Sequence, residues 1–161
     1  MILLAIDPGV EKVGYSVFDK KKELRSFKYV TSGLIKTSRK LTQGKRLQEI
    51  YEMLLSVLAQ YKAEHIVMEQ LFFAKNVKTA ISVAQAQGVI ELLSAKQNIP
   101  LSYLTPNEIK ATITGYGNAD KKAIKKMIDL TLSEKIDILD DDQSDAIACG
   151  LAYCYLAESL S

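Results

Sequence analysis

The chain has 161 residues, of which 48% are hydrophobic and 25% are charged. This balance is typical of one globular domain, which we predict to span residues 1–161, and it excludes a disordered or fibrous protein. The formal net charge is only +2, but the charges are clustered, with no acid over residues 24–48 and an acidic tract over residues 129–145. Basic flanks around carboxylates suit a polyanionic partner.

Three strands are predicted first. Residues 2–7 form an apolar run that ends in an acid, and Pro8-Gly9 then turns the chain. Residues 13–18 and about 24–36 predict two more strands of an antiparallel meander, with a charged turn at residues 19–23. From Leu47 to Tyr61, apolar residues recur at helical spacing and predict a helix with one buried stripe.

The second half of the chain is mainly helical. Residues 65–69 and 100–104 predict short strands, separated by a helix over about 77–97 that Asn76 would cap. Small residues on that helix favour close packing, either on the sheet or on a second subunit. Thr105, Pro106 and Glu108 form a good helix start.

The helix that begins there is predicted to break at residues 115–117. A basic helix follows at about 119–133, and a last apolar helix at about 142–158. This order of elements predicts an α/β protein with a five-stranded mixed β-sheet flanked by helices.

Four carboxylates stand at the ends of predicted elements. Asp7 ends the first strand and Glu69 the fourth, while Asp142 and Asp145 lie three residues apart on one face of the last helix. If the two strands are neighbours and the helix packs across them, the four acids converge. Their repulsion would be relieved by cations, and oxygen ligands suit Mg²⁺ or Mn²⁺. Paired ions in such a site activate water and stabilise both oxygens of an in-line phosphoryl displacement.

Each acid also has a purely structural explanation. Asp7 could be a turn former, Glu69 a surface strand end, and Asp142 an acid favoured by the helix dipole. The single histidine, His65, is expected to be structural, because a lone histidine without a serine or cysteine partner argues against a catalytic triad. The sequence contains no P-loop, GxGxxG or CxxC motif.

The location of the protein is indicated by what the sequence lacks. No apolar run approaches the roughly 20 residues of a membrane span, and the N-terminus has no basic leader or cleavage site. Cys149 and Cys154 are expected to be reduced, buried thiols. We therefore expect a cytoplasmic protein without membrane contact.

Two adjacent phenylalanines follow Glu69. Neighbouring side chains on an extended chain point to opposite sides, so Phe72 or Phe73 should face solvent or a partner. An aromatic face can stack on an unpaired base, which contributes about 1–3 kcal/mol. The alternative, that these rings fill the core, stays open, above all for Phe73.

Four segments together resemble the RuvC-type Holliday junction resolvases over essentially the whole chain. They are AIDPGVEKVGY at 5–15, EQLFFAKN at 69–76, AQAQG at 84–88 and DQSDAIA at 142–148. The resemblance implies a ribonuclease H-like fold and a DNA endonuclease that resolves four-way junctions in homologous recombination and repair. It further implies a homodimer that nicks two strands symmetrically, leaves 5′-phosphate and 3′-hydroxyl ends, and works with the RuvA and RuvB proteins.

The resemblance also implies roles for individual residues. The catalytic carboxylates would hold two Mg²⁺ ions per subunit, with Mn²⁺ as a substitute, and they would be Asp7, Glu69, Asp142 and Asp145. Lys121 would support catalysis. The residues that contact DNA would be Phe72, Phe73, Lys75, Lys110 and Lys121. Gln87 stands where the family pattern leads us to expect an arginine, and some members have histidine at the position of Asp142.

Three other functions fit parts of the pattern. A YqgF-type nuclease of the same fold, acting on ribosomal RNA precursor, also begins with a strand and a DPG turn, but it does not predict the segments at 69–76 and 84–88. An actin-like or sugar-kinase ATPase needs two lobes and an adenosine pocket, for which 161 residues are too few. A non-enzymatic junction-binding protein would not need the carboxylates.

Overall fold

A computed structural model of the chain describes residues 1–21, 26–70, 77–132, 138 and 140–159. In this part of the chain the predicted order of strands and helices is confirmed. The strands are β1 (Ile2–Asp7), β2 (Lys12–Lys21), β3 (Ser26–Lys36), β4 (His65–Glu69) and β5 (Leu101–Leu104). The helices are α1 (Gln43–Tyr61), α2 (Val77–Gln97), α3 (Pro106–Thr114), α4 (Lys121–Thr131) and α5 (Asp141–Ser159).

The strands form one mixed sheet in the order β3-β2-β1-β4-β5. The antiparallel meander of β1, β2 and β3 is confirmed, and β4 adds to the other side of β1 in parallel. Ile6 pairs with Met68 across β1 and β4. The next residue of each strand is an acid, so the parallel pairing brings Asp7 and Glu69 to the same edge of the sheet.

The alternation of side chains in β1 divides the core into two layers. Leu4 and Ile6 pack with the buried residues of α1 and α2 on one face of the sheet. Leu3 and Ala5 pack with those of α3, α4 and α5 on the other face. The same alternation directs Asp7 towards the α5 face, and Glu69 follows Val67 in facing that side.

Helix α5 lies very close to the sheet because glycines remove side chains from the interface. A Cβ atom on Gly14 of β2 would overlap the backbone carbonyl of Asp142, and one on Gly150 would overlap the ring of Phe18. The buried Ser16 hydroxyl donates a 2.8 Å hydrogen bond to the carbonyl oxygen of Ala146. The sheet therefore determines the position of the first turn of α5.

Some predicted details differ from the structure. β2 is longer than the predicted 13–18, because the charged residues 19–21 still pair with β3, and the prediction of a turn at these positions was wrong. The rest of that turn and the proposed cap Asn76 lie outside the described residues. The cap of α3 is confirmed: Glu108 N donates to Thr105 Oγ1 at 3.2 Å, and Thr105 N donates to the Glu108 carboxylate at 2.7 Å.

The two cysteines and the helices agree with the remaining expectations. Cys149 and Cys154 are both buried, and no disulfide joins them. Within the described ranges, none of the helices combines the length and the apolar character that crossing a membrane requires.

Candidate active site

The four predicted acids line two adjoining cavities at the edge of the sheet. Asp7, Glu69 and Asp142 line a cavity of about 350 Å³. Glu69 and Asp145 line a second cavity of about 360 Å³, together with Lys110 and Lys121. Glu69 belongs to both cavities, so carboxylates from β1, β4 and α5 share one region of the surface.

Asp7 is the most strongly perturbed of the four acids. Burial is the main cause that raises its pKa from 3.8 to about 8, and the negative charges of Asp145, Glu69 and Asp142 raise it further. The charge of Lys121 acts in the opposite direction but does not balance them. The protein by itself therefore leaves the negative charge of this cluster poorly compensated.

The other three acids show the same direction of shift. Burial raises the pKa of Glu69, and the charge of Asp145 adds to the shift. Burial also raises the pKa of Asp145, while Lys121 and Lys110 lower it in part. Burial and a hydrogen bond with Asp140 raise the pKa of Asp142. A cluster of acids that each resist ionisation is a candidate functional site.

Two lysines from different elements pair with the start of α5. Lys121 Nζ of α4 lies 3.1 Å from Asp141 Oδ2 and 3.6 Å from Asp145 Oδ2. Lys12 Nζ of β2 lies 2.6 Å from Asp140 Oδ2 and 3.9 Å from an oxygen of Asp142. The hydrogen bond from Lys12 is the main cause that lowers the pKa of Asp140 to about 2, and hydrogen bonds with Asp142 add to the shift.

Lys12 was missed by sequence reasoning. The resemblance to the family singled out Lys110 and Lys121 but not Lys12, whose partner Asp140 is 128 positions away in the sequence. The extension of β2 to Lys12 is the signal that would have placed this lysine beside the DPG turn.

Gln87 reaches the site from the opposite face of the sheet. Its Nε2 donates a 2.9 Å hydrogen bond to the backbone carbonyl oxygen of Glu69, and its side chain lines the cavity that contains Asp7. Where the family pattern leads us to expect a cation, this chain therefore has a neutral amide that holds the end of β4.

The donor set fits a hard divalent cation. The four acids that line the two cavities offer carboxylate oxygens, which are the ligands of Mg²⁺ and Mn²⁺ rather than of zinc. As they are placed, no three histidine, cysteine, aspartate or glutamate side chains of the described residues are close enough together to hold an ion. The fit therefore rests on the chemistry of the four acids and on their incompletely compensated charge.

The remaining candidate residues lie elsewhere. His65 is at the opposite end of β4 from Glu69, where its Nε2 lies 2.9 Å from Ser102 Oγ and 3.0 Å from the hydroxyl of Tyr153. This position agrees with the expected structural role. The predicted DNA contacts Phe72, Phe73 and Lys75 lie outside the described residues.

Comparison with solved structures identifies the class of fold. Thermus thermophilus RuvC in complex with a Holliday junction substrate superposes with a TM-score of 0.90 at 24% identity, over 99% of this chain and 96% of that one. The yeast mitochondrial Holliday junction resolvase Ydc2 gives a TM-score of 0.71 at 15% identity, over 98% and 79% of the two chains. The predicted ribonuclease H-like fold, with its five-stranded mixed sheet, is confirmed.

Sequence comparison then identifies the family. The family model described as crossover junction endodeoxyribonuclease RuvC matches residues 3–154. Proteins of that name from Thermosipho melanesiensis and Pseudothermotoga lettingae are 42% and 40% identical, over 99% and 98% of this chain and 99% and 94% of theirs. The chain belongs to the RuvC family, so the predicted resemblance is confirmed and the YqgF-type alternative is not favoured.

Proposed function

We propose that the protein is a metal-dependent endodeoxyribonuclease that resolves four-way DNA junctions by symmetric nicking in homologous recombination and repair. Family membership supports the activity and the junction substrate. The observation that carries the proposal for this chain is the arrangement of its acids. Asp7 and Glu69 end neighbouring parallel strands and face the helix that begins with Asp142 and Asp145.

The proposed reaction is hydrolysis of a phosphodiester. The oxygen of water bonds to phosphorus, the bond to the 3′ oxygen breaks, and the products are 5′-phosphate and 3′-hydroxyl ends. Asp7, Glu69, Asp142 and Asp145 would hold two Mg²⁺ ions per subunit, with Mn²⁺ as a substitute. When bound, such ions lower the pKa of water and stabilise charge on the phosphate oxygens.

Lysines beside the acids would contact the phosphate. Lys121 already places its ammonium 3.6 Å from Asp145, and Lys110 lowers the pKa of both Glu69 and Asp145 through its charge. Two cations on this side of the acids would attract a DNA backbone that the acids alone would repel. We retain Phe72, Phe73 and Lys75 as predicted DNA contacts.

We also propose that the protein works as a homodimer that pairs through α2. Ile81 and Leu92 on this helix are each 55% exposed, and the exposed residues Ala84 and Gly88 lie between them. Apolar and small side chains on one helix surface suit close packing with a second helix. Leu92→Glu should convert a dimer to monomers in sedimentation equilibrium, whereas Gln97→Glu, an exposed position on the other side of the same helix, should not.

Three further proposals follow from the family and the core. Residues 1–161 would be one nuclease domain, since both hydrophobic clusters lie against the same sheet. RuvA and RuvB would be its branch-migration partners. If its substrate is chromosomal DNA, the protein would be located in the cytoplasm.

The decisive experiment compares a synthetic four-way junction with a linear duplex of the same sequence, each end-labelled, in Mg²⁺ and in Mn²⁺. Paired symmetric nicks in the junction alone are expected from the wild-type protein. Asp7→Asn should bind the junction without cutting it, whereas Asp129→Asn, which removes an exposed carboxylate of α4, should cut normally.

Each other outcome has a definite meaning. Binding without cutting in both metals would refute the enzyme and leave a junction-binding protein. Equal cutting of the duplex would leave a nuclease without junction selectivity. Cutting by Asp7→Asn at the wild-type rate would refute the assignment of the acids.

A further inference from the structure

A groove extends from the acidic cavity along the β1–β2 turn. It is a cavity of about 570 Å³ and shares Gly9, Val83 and Asp142 with the cavity lined by Asp7 and Glu69. Arg46 and Lys12 also line it. We call it the Arg46 groove. A chain-like ligand that leaves the acids past Gly9 enters this groove directly.

Arg46, in the first turn of α1, is held by a relay to the β1–β2 turn. Its Nε donates a 2.8 Å hydrogen bond to Thr37 Oγ1, and that hydroxyl donates a 2.6 Å hydrogen bond to the carbonyl oxygen of Val10. The relay holds the guanidinium at the groove and commits only one of its three nitrogens.

The guanidinium of Arg46 keeps unused hydrogen-bonding capacity within the described part of the chain, although its charge adds to the effect of Arg39 in lowering the pKa of Glu11. Its Nη2 is shielded from solvent and has no hydrogen-bond partner among the described residues. The nearby carboxylate of Glu11 is committed to Arg39, which donates to it through two nitrogens at 3.0 and 2.7 Å. A guanidinium nitrogen without a partner is costly, and an anion bound at the groove would satisfy it.

Lys12 provides a second cation at the same groove. The Lys12 ammonium, from β2, lies beside the carboxylates of Asp140 and Asp142, whereas the Arg46 guanidinium is contributed by α1. The two cations therefore belong to different elements, on a path that starts at the acids. A phosphodiester backbone carries anions at regular intervals along such a path.

We propose that the Arg46 groove binds a backbone phosphate of the strand being cut, next to the phosphate that the acids address, with Arg46 as its main contact. The proposal rests on the proposed function and adds a binding subsite to it. The planar guanidinium suits two parallel hydrogen bonds to phosphate oxygens. The side chain of Arg46 is only partly buried, so the anion meets its exposed part at the groove.

The test is the salt dependence of junction binding, measured by fluorescence anisotropy in chelator so that no strand is cut. Arg46→Met should weaken binding about tenfold, as expected for the loss of a charged hydrogen bond. The slope of log K against log salt concentration should fall by about 0.9, the value for one lost phosphate contact. Arg46→Lys keeps the charge and should restore the slope but only part of the affinity.

Two control variants separate phosphate binding from other roles. Thr37→Val removes the hydrogen bond that positions the guanidinium but keeps its charge, so it should weaken binding less than Arg46→Met does and should keep the salt slope. Lys45→Met removes an exposed charge from the same helix turn, where Lys45 pairs with Gln48 outside the groove, and should change the slope much less. Thermal unfolding of each variant shows whether it is folded.

The contrary results are distinct from one another. A wild-type protein that binds no junction would refute the proposed function and this inference together. Normal junction binding with an unchanged slope in a folded Arg46→Met variant would refute this inference alone. Equal losses of slope in Arg46→Met and Lys45→Met would replace the subsite by a diffuse basic surface. Equal losses of affinity and of slope in Thr37→Val and Arg46→Met would leave Arg46 only a structural role.

Discussion

Replacing Asp7 by asparagine should stabilise the metal-free protein at neutral pH. Burial and neighbouring acids raise the pKa of Asp7 from 3.8 to about 8. A carboxyl that binds its proton more tightly in the folded chain adds to the free energy of unfolding. This contribution is complete at pH values below the pKa of the group in the unfolded chain, and it is lost as the pH rises towards its pKa in the folded chain. At about 1.36 kcal/mol per pKa unit, the wild-type chain should lose roughly 3 kcal/mol of unfolding free energy through Asp7 between about pH 5 and about pH 7.5.

Thermal unfolding in chelator at these two pH values measures the effect. The asparagine side chain does not titrate in this range, so the Tm of Asp7→Asn should exceed that of the wild-type protein by more at the higher pH. The difference should grow by roughly 6–12 °C, because 1 kcal/mol shifts Tm by about 2–4 °C in a chain of this size. The control Asp129→Asn removes an exposed carboxylate and should shift Tm equally at both pH values.

Added Mg²⁺ gives a second measure of the same cluster. It should raise the Tm of the wild-type protein at the higher pH, because a bound cation compensates the charge of the acids. The rise should be smaller in Asp7→Asn. If the Tm advantage of Asp7→Asn is the same at both pH values, Asp7 is not held in its protonated form and the reasoning about the acidic cluster is wrong.

Two further substitutions test how neighbouring elements position the acids. Gly14→Ala should lower Tm and abolish junction cutting, because the new Cβ would displace the backbone of Asp142. The control Gly44→Ala has open space around it and should stabilise α1 by about 0.5–1 kcal/mol. Cutting by Gly14→Ala at the wild-type rate would contradict the close contact. Gln87→Met should remove the hydrogen bond to Glu69 at a cost of about 1 kcal/mol in urea unfolding, with a larger proportional loss in cutting rate. An unchanged rate would show that Glu69 needs no support from α2.

The elements that carry the acids were predictable because local signals agreed. The apolar runs of β1 and β4 each end at an acid, and the structure ends both strands at that residue. The cap at Thr105 was equally clear, because three residues of the pattern lie within four positions. Short-range patterns of this kind do not depend on how distant parts of the chain pack.

The contacts that position the acids were not predictable, because each joins distant parts of the chain. A glycine in a strand suggests that something approaches closely, but Gly14 does not indicate that the neighbour is the carbonyl of Asp142. Likewise, nothing near Gln87 in the sequence indicates a bond to Glu69. The turn predicted over residues 19–23 was wrong at residues 19–21 for a different reason, because pairing with the adjacent strand β3 outweighed the charged composition.

The distribution of the acids along the chain has a consequence for synthesis in the cell. One acid comes from the first strand, one from the middle of the chain and two from the final helix. A growing chain therefore carries no complete acidic cluster until the final helix has left the ribosome and docked on the sheet. A truncated chain that ends before α5 lacks Asp142 and Asp145, which are half of the cluster, and it should therefore cut no DNA if the four acids hold the metal as proposed.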